Sequence, residues 1–387
     1  MKVSIQKCKD YLFPELETSL LNLISPFGSI SGILRGRKKV LLKPNMLSPQ
    51  PPEKAITTHP KIVEWLSQKF ISAGAEVMIG DSPPLAIGQI ENYWNKTGMR
   101  EVSNKTGARL VYFEKEKSKI ISLNGSKKTF TVSVPELIFD PDLVIVNLPK
   151  FKTHNLTVIT GAIKNFFGLL PGLQKPKLHK EFPLPYDFGK MIASVSNIFK
   201  NSFTIMDGIT GIDENGPTGG RKIQPGILLA SESALALDLV FCAIVGLDPT
   251  KIPVLPEASR QNFGPYTLSE LELFGETIEE IKLHDFHLPK PSIVSKLPGS
   301  MVKLAQRLLK AKPRVDVVKC IRCGACVNVC PASAIFRKAD EIKINHSKCI
   351  VCFCCTEVCP VNALGISTSP LLGMLKIVRD LKKRIIS

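Results

Sequence analysis

Eight cysteines near the C-terminus have the spacing of metal ligands. Cys320, Cys323 and Cys326 stand two residues apart, and Cys330 precedes Pro331. Cys349, Cys352 and Cys355 repeat the pattern, and Cys359 precedes Pro360. Thiolates spaced in this way wrap one face of an iron–sulfur cube, while the cysteine before proline turns away to ligate a second cube. The spacing therefore assigns Cys320, Cys323, Cys326 and Cys359 to one [4Fe–4S] cluster. Cys349, Cys352, Cys355 and Cys330 go to the other. Zinc sites use pairs of cysteines rather than triples closed by a Cys-Pro. Disulfide frameworks belong to small secreted domains. Cys354 is an extra thiol beside a ligand, expected as a packed bystander. Cys8 and Cys242 read as core residues.

A second set of chemically capable residues falls just after apolar runs. Lys43 and Asn45 follow one run, Asp81 and Ser82 another, and Lys150, Lys152 and His154 a third; Asp207 and Asp213 follow a fourth. In an open parallel sheet such strand ends share one edge, where ligands bind. We expect a cleft there with Lys43, Asp81, Lys150, Lys152 and His154 as catalytic candidates. Asn45, His59, Ser82, Lys164, Asn165, Asp207 and Asp213 are the candidates for holding substrate. Lysines facing a cleft favour phosphate or carboxylate, and helix N-termini add N–H donors. His59 and His154 can act as general acids or ligate a further metal or cofactor. The plainer readings stand beside these. A lysine after a strand is often a solvated loop residue, and His59 before Pro60 can simply cap a helix. Gly208, Gly211, Gly216, Gly219 and Gly220 can simply shape a loop. No complete dinucleotide or P-loop glycine pattern occurs in these segments.

The elements that must position these residues follow from periodicity. Strands are expected at 2–8, 39–42, 75–79, 109–113, 142–146, 203–206 and 226–230, with a hairpin over 119–134 turning at Asn124-Gly125. Helices are expected at 14–24, 58–74 (capped by Thr57 or Thr58), 88–106 (broken at Gly98), 156–168, 187–200 and 233–245. Strands alternating with helices argue an α/β fold. Its mainly parallel sheet carries flanking helices and a β-hairpin insertion, and a C-terminal α+β domain of the two-cluster ferredoxin type follows. The expected divisions are an α/β domain over 1–288, a basic linker with a helix over 289–314, the cluster domain over 315–368, and a basic amphipathic helix over 369–387.

The net charge of +17 is unevenly placed. Residues 289–314 contribute +7 and residues 369–387 contribute +4, whereas residues 1–288 contribute only +4. An almost neutral large domain disfavours nucleic-acid binding. No apolar run reaches membrane-spanning length. Eight cluster cysteines imply a reducing compartment, so a cytoplasmic protein is expected, with the two basic segments offering contact to an anionic membrane surface.

Together the motifs Lys43-Pro-Asn45, Thr57-Thr-His-Pro60, Gly80-Asp81-Ser82-Pro83, Asn147-Leu-Pro-Lys150, Lys152-Thr-His154, Gly161-Ala-Ile-Lys164-Asn165, Met206-Asp207-Gly208, Leu237-Asp238 and Gly246-Leu-Asp248-Pro249 resemble the domain of unknown function 362 family. The second cysteine run resembles the ferredoxin module often fused to it. The resemblance spans nearly the whole chain and implies no mechanism.

Three functions are compatible with these readings. The first is an iron–sulfur oxidoreductase passing electrons from two [4Fe–4S] clusters to an anionic substrate or cofactor in the cleft. The second is a non-catalytic electron-transfer or assembly partner, docking an acidic redox protein or a membrane surface. The third, ranked last, is a nucleic-acid-binding iron–sulfur protein.

Overall fold

The computed structural model describes residues 1–83, 89–125, 128–172, 174–261, 264–265, 267–289 and 312–367. The helix expected in the basic linker and the amphipathic helix expected over 369–387 lie outside the described residues.

The main sheet is built on β1 (Lys2–Lys7), β2 (Lys39–Pro44), β3 (Glu76–Gly80) and β4 (Arg109–Val111). A separate hairpin, β5 (Ser118–Asn124) and β6 (Thr129–Pro135), turns where Asn124-Gly125 predicts it. The sheet continues with β7 (Leu143–Leu148), β8 (Lys150–His154), β9 (Val158–Ile159), β10 (Phe203–Asp213), β11 (Arg221–Ile223), β12 (Ile227–Ser231) and β13 (Glu272–Gly275). Its order is β13-β1-β12-β10-β7-β2-β3-β4. On this path only β12 runs against its neighbours; every other pairing is parallel. The C-terminal ends of β2, β3 and β7 therefore open on one edge.

The sheet is buried on both faces, which requires apolar residues at successive strand positions. Val40 and Leu42 pack on one side with α1 (Glu15–Ile24) and α3 (Pro60–Ser72). Leu41 and Ile145 face the other side with α8 (Pro185–Ser196) and α9 (Ala234–Ile244). The remaining helices of the domain are α2 (Ser29–Leu34), α4 (Ile90–Lys96), α5 (Met99–Thr106), α6 (Gly161–Asn165), α7 (Gln174–Glu181) and α10 (Leu255–Arg260). Gly98, at φ 80°, separates α4 from α5, as expected for a residue that enters the left-handed region without steric cost.

Four local expectations are corrected. The imidazole of His59, not Thr57 or Thr58, caps α3 by accepting from the Lys61 N–H. Thr58 is spent elsewhere: its hydroxyl donates to Leu148 O and accepts from the Asn45 N–H. Residues 150–154, where no strand is expected from the sequence, form buried β8. The single helix expected over 156–168 is divided into β9, short α6 and a 3-10 turn over Phe166–Leu169. The glycine-rich stretch after Met206 continues β10 as far as Asp213, because Gly208 and Gly211 let Ile227 and Phe151 approach closely.

The C-terminal module has β14 (Lys312–Val315) paired with β17 (Leu364–Ser367) and β15 (Ile335–Lys338) paired with β16 (Glu341–Ile344). Two short helices, α11 (Ala325–Val329) and α12 (Cys354–Glu357), carry the third cysteine of each triple.

Candidate functional site

Two buried ion pairs stand at the sheet edge. Lys43, at the end of β2, places Nζ 2.7 Å from Asp81 Oδ1, just past β3. The same ammonium donates to Pro44 O at 2.8 Å and Asn165 Oδ1 at 3.2 Å, and Asp81 Oδ2 accepts the Met46 N–H at 2.7 Å. Lys150 on β8 lies 2.7 Å from Asp207 Oδ2 and donates to Tyr11 Oη at 2.8 Å. The Tyr11 ring stacks on His59 at 3.6 Å, and the His59 backbone N–H donates to Asp207. Burial lowers the pKa of Lys43 and Lys150, and the facing carboxylates oppose that shift.

Among the described residues Lys152 makes no ion pair. It donates to Asn45 Oδ1 at 2.6 Å and Ile56 O at 2.7 Å, and burial pushes its pKa well below the usual lysine range. Lys43, Lys150 and Lys152 are thus all buried and internally bonded. Asp213 is paired with Arg221 at 2.7 Å and closes the β10–β11 hairpin.

A cavity of about 80 Å³ lies between the sheet edge and the C-terminal module. Of the residues singled out in the sequence, Lys43, Asn45, Asp81, Ser82, Lys164 and Asn165 line it. Lys150, Lys152, His154, His59, Asp207 and Asp213 do not. Thr160, Lys175 and His179 also line it, and the module contributes Val329, Cys354 and Glu357.

His154 reaches the cavity indirectly. Its Nδ1 accepts the N–H groups of Leu156 at 3.0 Å and Thr157 at 3.3 Å, which places the ring proton on Nε2. Nε2 faces Glu357 Oε1 at 2.9 Å. The ring is therefore neutral, and burial agrees, pushing its pKa down to about 4. Burial disfavours the charge on Glu357, but His154 and Lys164 outweigh it and hold the carboxyl below its usual range. With His154 neutral, Lys164 is the nearby full positive charge.

Sequence reasoning passed over His179, Lys175 and Thr160. The signal available was a Lys-x3-His spacing, which puts Lys175 and His179 on one face of a helix. Glu357 was hidden among the cysteines, and nothing in its local sequence marks it as a cavity residue.

Within the module, Cys320, Cys323, Cys326 and Cys359 surround one apolar-walled cavity. Burial pushes the Cys326 thiol up to about 11, with Cys359, Cys323 and Cys320 adding to the shift. Burial likewise raises Cys355, with Cys352, Cys349, Cys326 and Cys330 contributing. The backbone repeats with the sequence. Arg322 and Val351, Gly324 and Phe353, and Ser333 and Asn362 share positive φ at equivalent positions. These left-handed turns wrap the chain so that its thiols converge. The N–H groups of Ala334 and Ala363 reach Cys330 Sγ and Cys359 Sγ at 3.2 and 3.1 Å, the kind of contact that tunes an iron–sulfur cluster. The residues present therefore fit two cubane clusters. Among the described residues, no three His, Cys, Asp or Glu side chains are set to hold a single metal ion. Cys354 is buried against Cys352.

The module is fastened to the sheet edge by Thr218 Oγ1 donating to Thr356 O at 2.9 Å and Gln50 Nε2 donating to Pro360 O at 3.1 Å, besides the His154–Glu357 contact.

A family model described as a domain of unknown function (DUF362) matches residues 40–243, and one described as a 4Fe-4S dicluster domain matches residues 319–363. The "Thylakoid-associated protein sll1697" of Synechocystis sp. is 30% identical over 294 residues, covering 74% of this chain and 88% of its own length. A crystal structure of a Thermotoga maritima protein aligns at 15% identity with a TM-score of 0.33, over 50% of this chain and 49% of that one. This chain thus spans about half of that solved protein, and a likeness so low says nothing of the fold. The chain belongs to the family of domain of unknown function 362, and its C-terminal dicluster domain makes it an electron-carrying protein with two [4Fe–4S] clusters.

Proposed function

We propose that the protein is an oxidoreductase whose anionic substrate binds in the cavity between sheet edge and cluster module. One observation carries this reading: Val329, Cys354 and Glu357 of the cluster module form one wall of a lysine-bearing cavity at the ligand-binding edge of the sheet. The clusters, held by Cys320, Cys323, Cys326 and Cys359 and by Cys349, Cys352, Cys355 and Cys330, would supply single electrons. The chain's own residues do the rest. The Lys43–Asp81 pair, fixed by Asn165 and the Met46 N–H, gives a rigid floor. Lys164 presents an ammonium to the substrate. The docked module covers one side of the site and so lowers its exposure to water, which strengthens the charges inside.

Anaerobic purification followed by iron analysis and mass spectrometry tests the reading. We expect about eight irons per chain, as two cubanes require, together with a retained small anion. Lys164→Met should lose the anion and keep the iron. Full iron with no retained molecule in the unaltered protein sinks the proposal in favour of a pure carrier. The crossed ligation has its own test. Cys320→Ser and Cys359→Ser should perturb the same paramagnetic signal of the reduced protein, and Cys349→Ser the other.

A second reading has a specific observation behind it. Val317, Val318 and Ile321, beside Cys320, are 65%, 91% and 60% exposed, with Lys319 and Arg322 alongside. An apolar patch edged with cations suits an acidic redox partner that exchanges electrons at the first cluster. Peripheral membrane contact is the alternative use of such a surface. It is supported by the relative's name and by the basic segments at 289–314 and 369–387. Among the described residues no helix is long and apolar enough to cross a membrane. Co-sedimentation with anionic vesicles, full chain against a chain ending at Ser369, decides whether the tail anchors it. A nucleic-acid role would require affinity that falls steeply with salt.

A further inference from the structure

We propose that the cavity takes a small monoanion that also carries a hydrogen-bond donor, with its anionic group on Lys164 and its donor on His179 Nε2. This rests on reading the cavity as a substrate site and names the chemical class that the site selects.

Charge comes first. The cavity lining holds three lysines (Lys43, Lys164 and Lys175) and two carboxylates (Asp81 and Glu357), a net of +1. One ammonium left without a partner in such a place calls for one anionic group on the ligand. The lysines are not equivalent. Lys43 is committed to Asp81, Pro44 O and Asn165. Lys175 donates to Ser82 O and Leu170 O. Among the described residues Lys164 makes no hydrogen bond and no ion pair, although Glu357 and Cys354 influence it electrostatically. It is the ammonium left for a ligand.

The second requirement comes from a tautomer. His179 Nδ1 lies 2.9 Å from Lys175 O. A carbonyl oxygen only accepts, so Nδ1 carries the proton and Nε2 is a bare lone pair. The ring is 6% exposed, is held between Phe188 at 4.5 Å and Phe167 at 5.8 Å, and among the described residues its Nε2 has no hydrogen-bond partner. Burial also keeps the ring neutral, since it lowers the pKa. A buried acceptor without a partner calls for a ligand O–H or N–H. Thr160 Oγ1, 4% exposed and equally unpartnered, can serve either end.

Size completes the class. The walled part of the cavity, about 80 Å³, suits a small molecule. Small hydroxy carboxylates fit, whereas a simple aliphatic acid satisfies Lys164 and leaves His179 Nε2 buried and unpaired. Sites built to bond a ligand hydroxyl reject analogues lacking it.

The test compares glycolate with acetate by titration calorimetry on the full-length, anaerobically purified protein with both clusters oxidised. Glycolate should bind about tenfold more tightly than acetate, the expected scale for one buried hydrogen bond. His179→Phe, which keeps the ring and removes the acceptor, should bring the ratio close to one. His179→Gln, which retains an acceptor, should restore part of it, and Lys164→Met should weaken both acids. Unchanged iron content and visible spectrum show that each variant is intact. Equal affinities in the unaltered protein, a ratio that survives His179→Phe, or no binding of either acid overturns the inference. Because the clusters stay oxidised, the result is independent of electron delivery. If the binding pattern appears but reduced clusters never reoxidise on adding any hydroxy acid that binds, the inference stands and the oxidoreductase reading falls.

Discussion

Asp207 shows how much a single buried carboxylate organises. It accepts from Lys150 Nζ, from Tyr11 Oη and from the His59 backbone N–H, tying β8, β10, the N-terminal segment and the start of α3 together. Breaking such a pair on one side leaves a charge without compensation. Asp207→Ala should therefore lose about 3–5 kcal/mol of stability in urea unfolding. The double change Lys150→Met with Asp207→Leu, which removes both charges, should recover most of it. His59, stacked on Tyr11, gives a pH signature. Burial lowers its pKa to about 4, against the usual 6.5; Asp207 and Glu53 oppose the shift, while Lys150 and Lys61 add to it. The folded state binds the proton less tightly than the unfolded chain. Stability from this group is complete above the unfolded value of 6.5 and is lost as pH falls towards 4. Between pH 7 and pH 5 the unaltered protein should lose on the order of 2 kcal/mol more than His59→Gln does.

Among the elements, the 3-10 turn over Phe166–Leu169 sets the depth of the cavity. A Cβ at Gly168 would lie 2.1 Å from Asp81 Oδ1 and 2.7 Å from Lys43 Nζ. Gly168→Ala must displace that ion pair, at a cost of about 1–3 kcal/mol as for other overpacked sites. It should also abolish anion binding while leaving the cluster spectrum intact, and calorimetry beside a visible spectrum checks both. The elements that could be read in the sequence are those whose stability is local or simply apolar. Runs such as Val40-Leu-Leu and Leu143-Val-Ile-Val announce buried strands, Asn124-Gly125 its hairpin, Gly98 its helix break, and the cysteine spacing its turns. Strand β8 could not be read this way. Lys150, Lys152 and His154 look like a solvated loop until Asp207, Asn45 and Glu357 are brought to them from distant parts of the chain. The extension of β10 fails for the same reason, since its glycines matter only through what packs against them. The cavity was legible as a sheet edge. Its unpaired groups, Lys164 and His179, were not, because which lysine is spent and which is free is a tertiary fact.

The whole molecule behaves as two halves sharing one enclosed space. Glu357 reaches from the cluster module to within 2.9 Å of His154 Nε2, and Thr218 holds the backbone of the next residue upstream. Glu357→Ala combined with Thr218→Val should undock the module without unfolding it. Amide hydrogen exchange should then accelerate in β8 and α6 while the iron content holds. Unchanged exchange there would mean that the remaining contacts suffice to keep the halves together.

That shared wall constrains how such a protein can be inherited or engineered. A ferredoxin-like module is often treated as an interchangeable cassette, joined to a host by any convenient linker. Here a replacement would have to bring a carboxylate between the third and fourth cysteines of its second run, in register with an imidazole it has never met. A transplant lacking it would still carry electrons, but would leave the lysine opposite facing an open mouth. The two halves should therefore travel through evolution as a matched pair, and grafts between relatives should succeed or fail on residue 357 rather than on linker length.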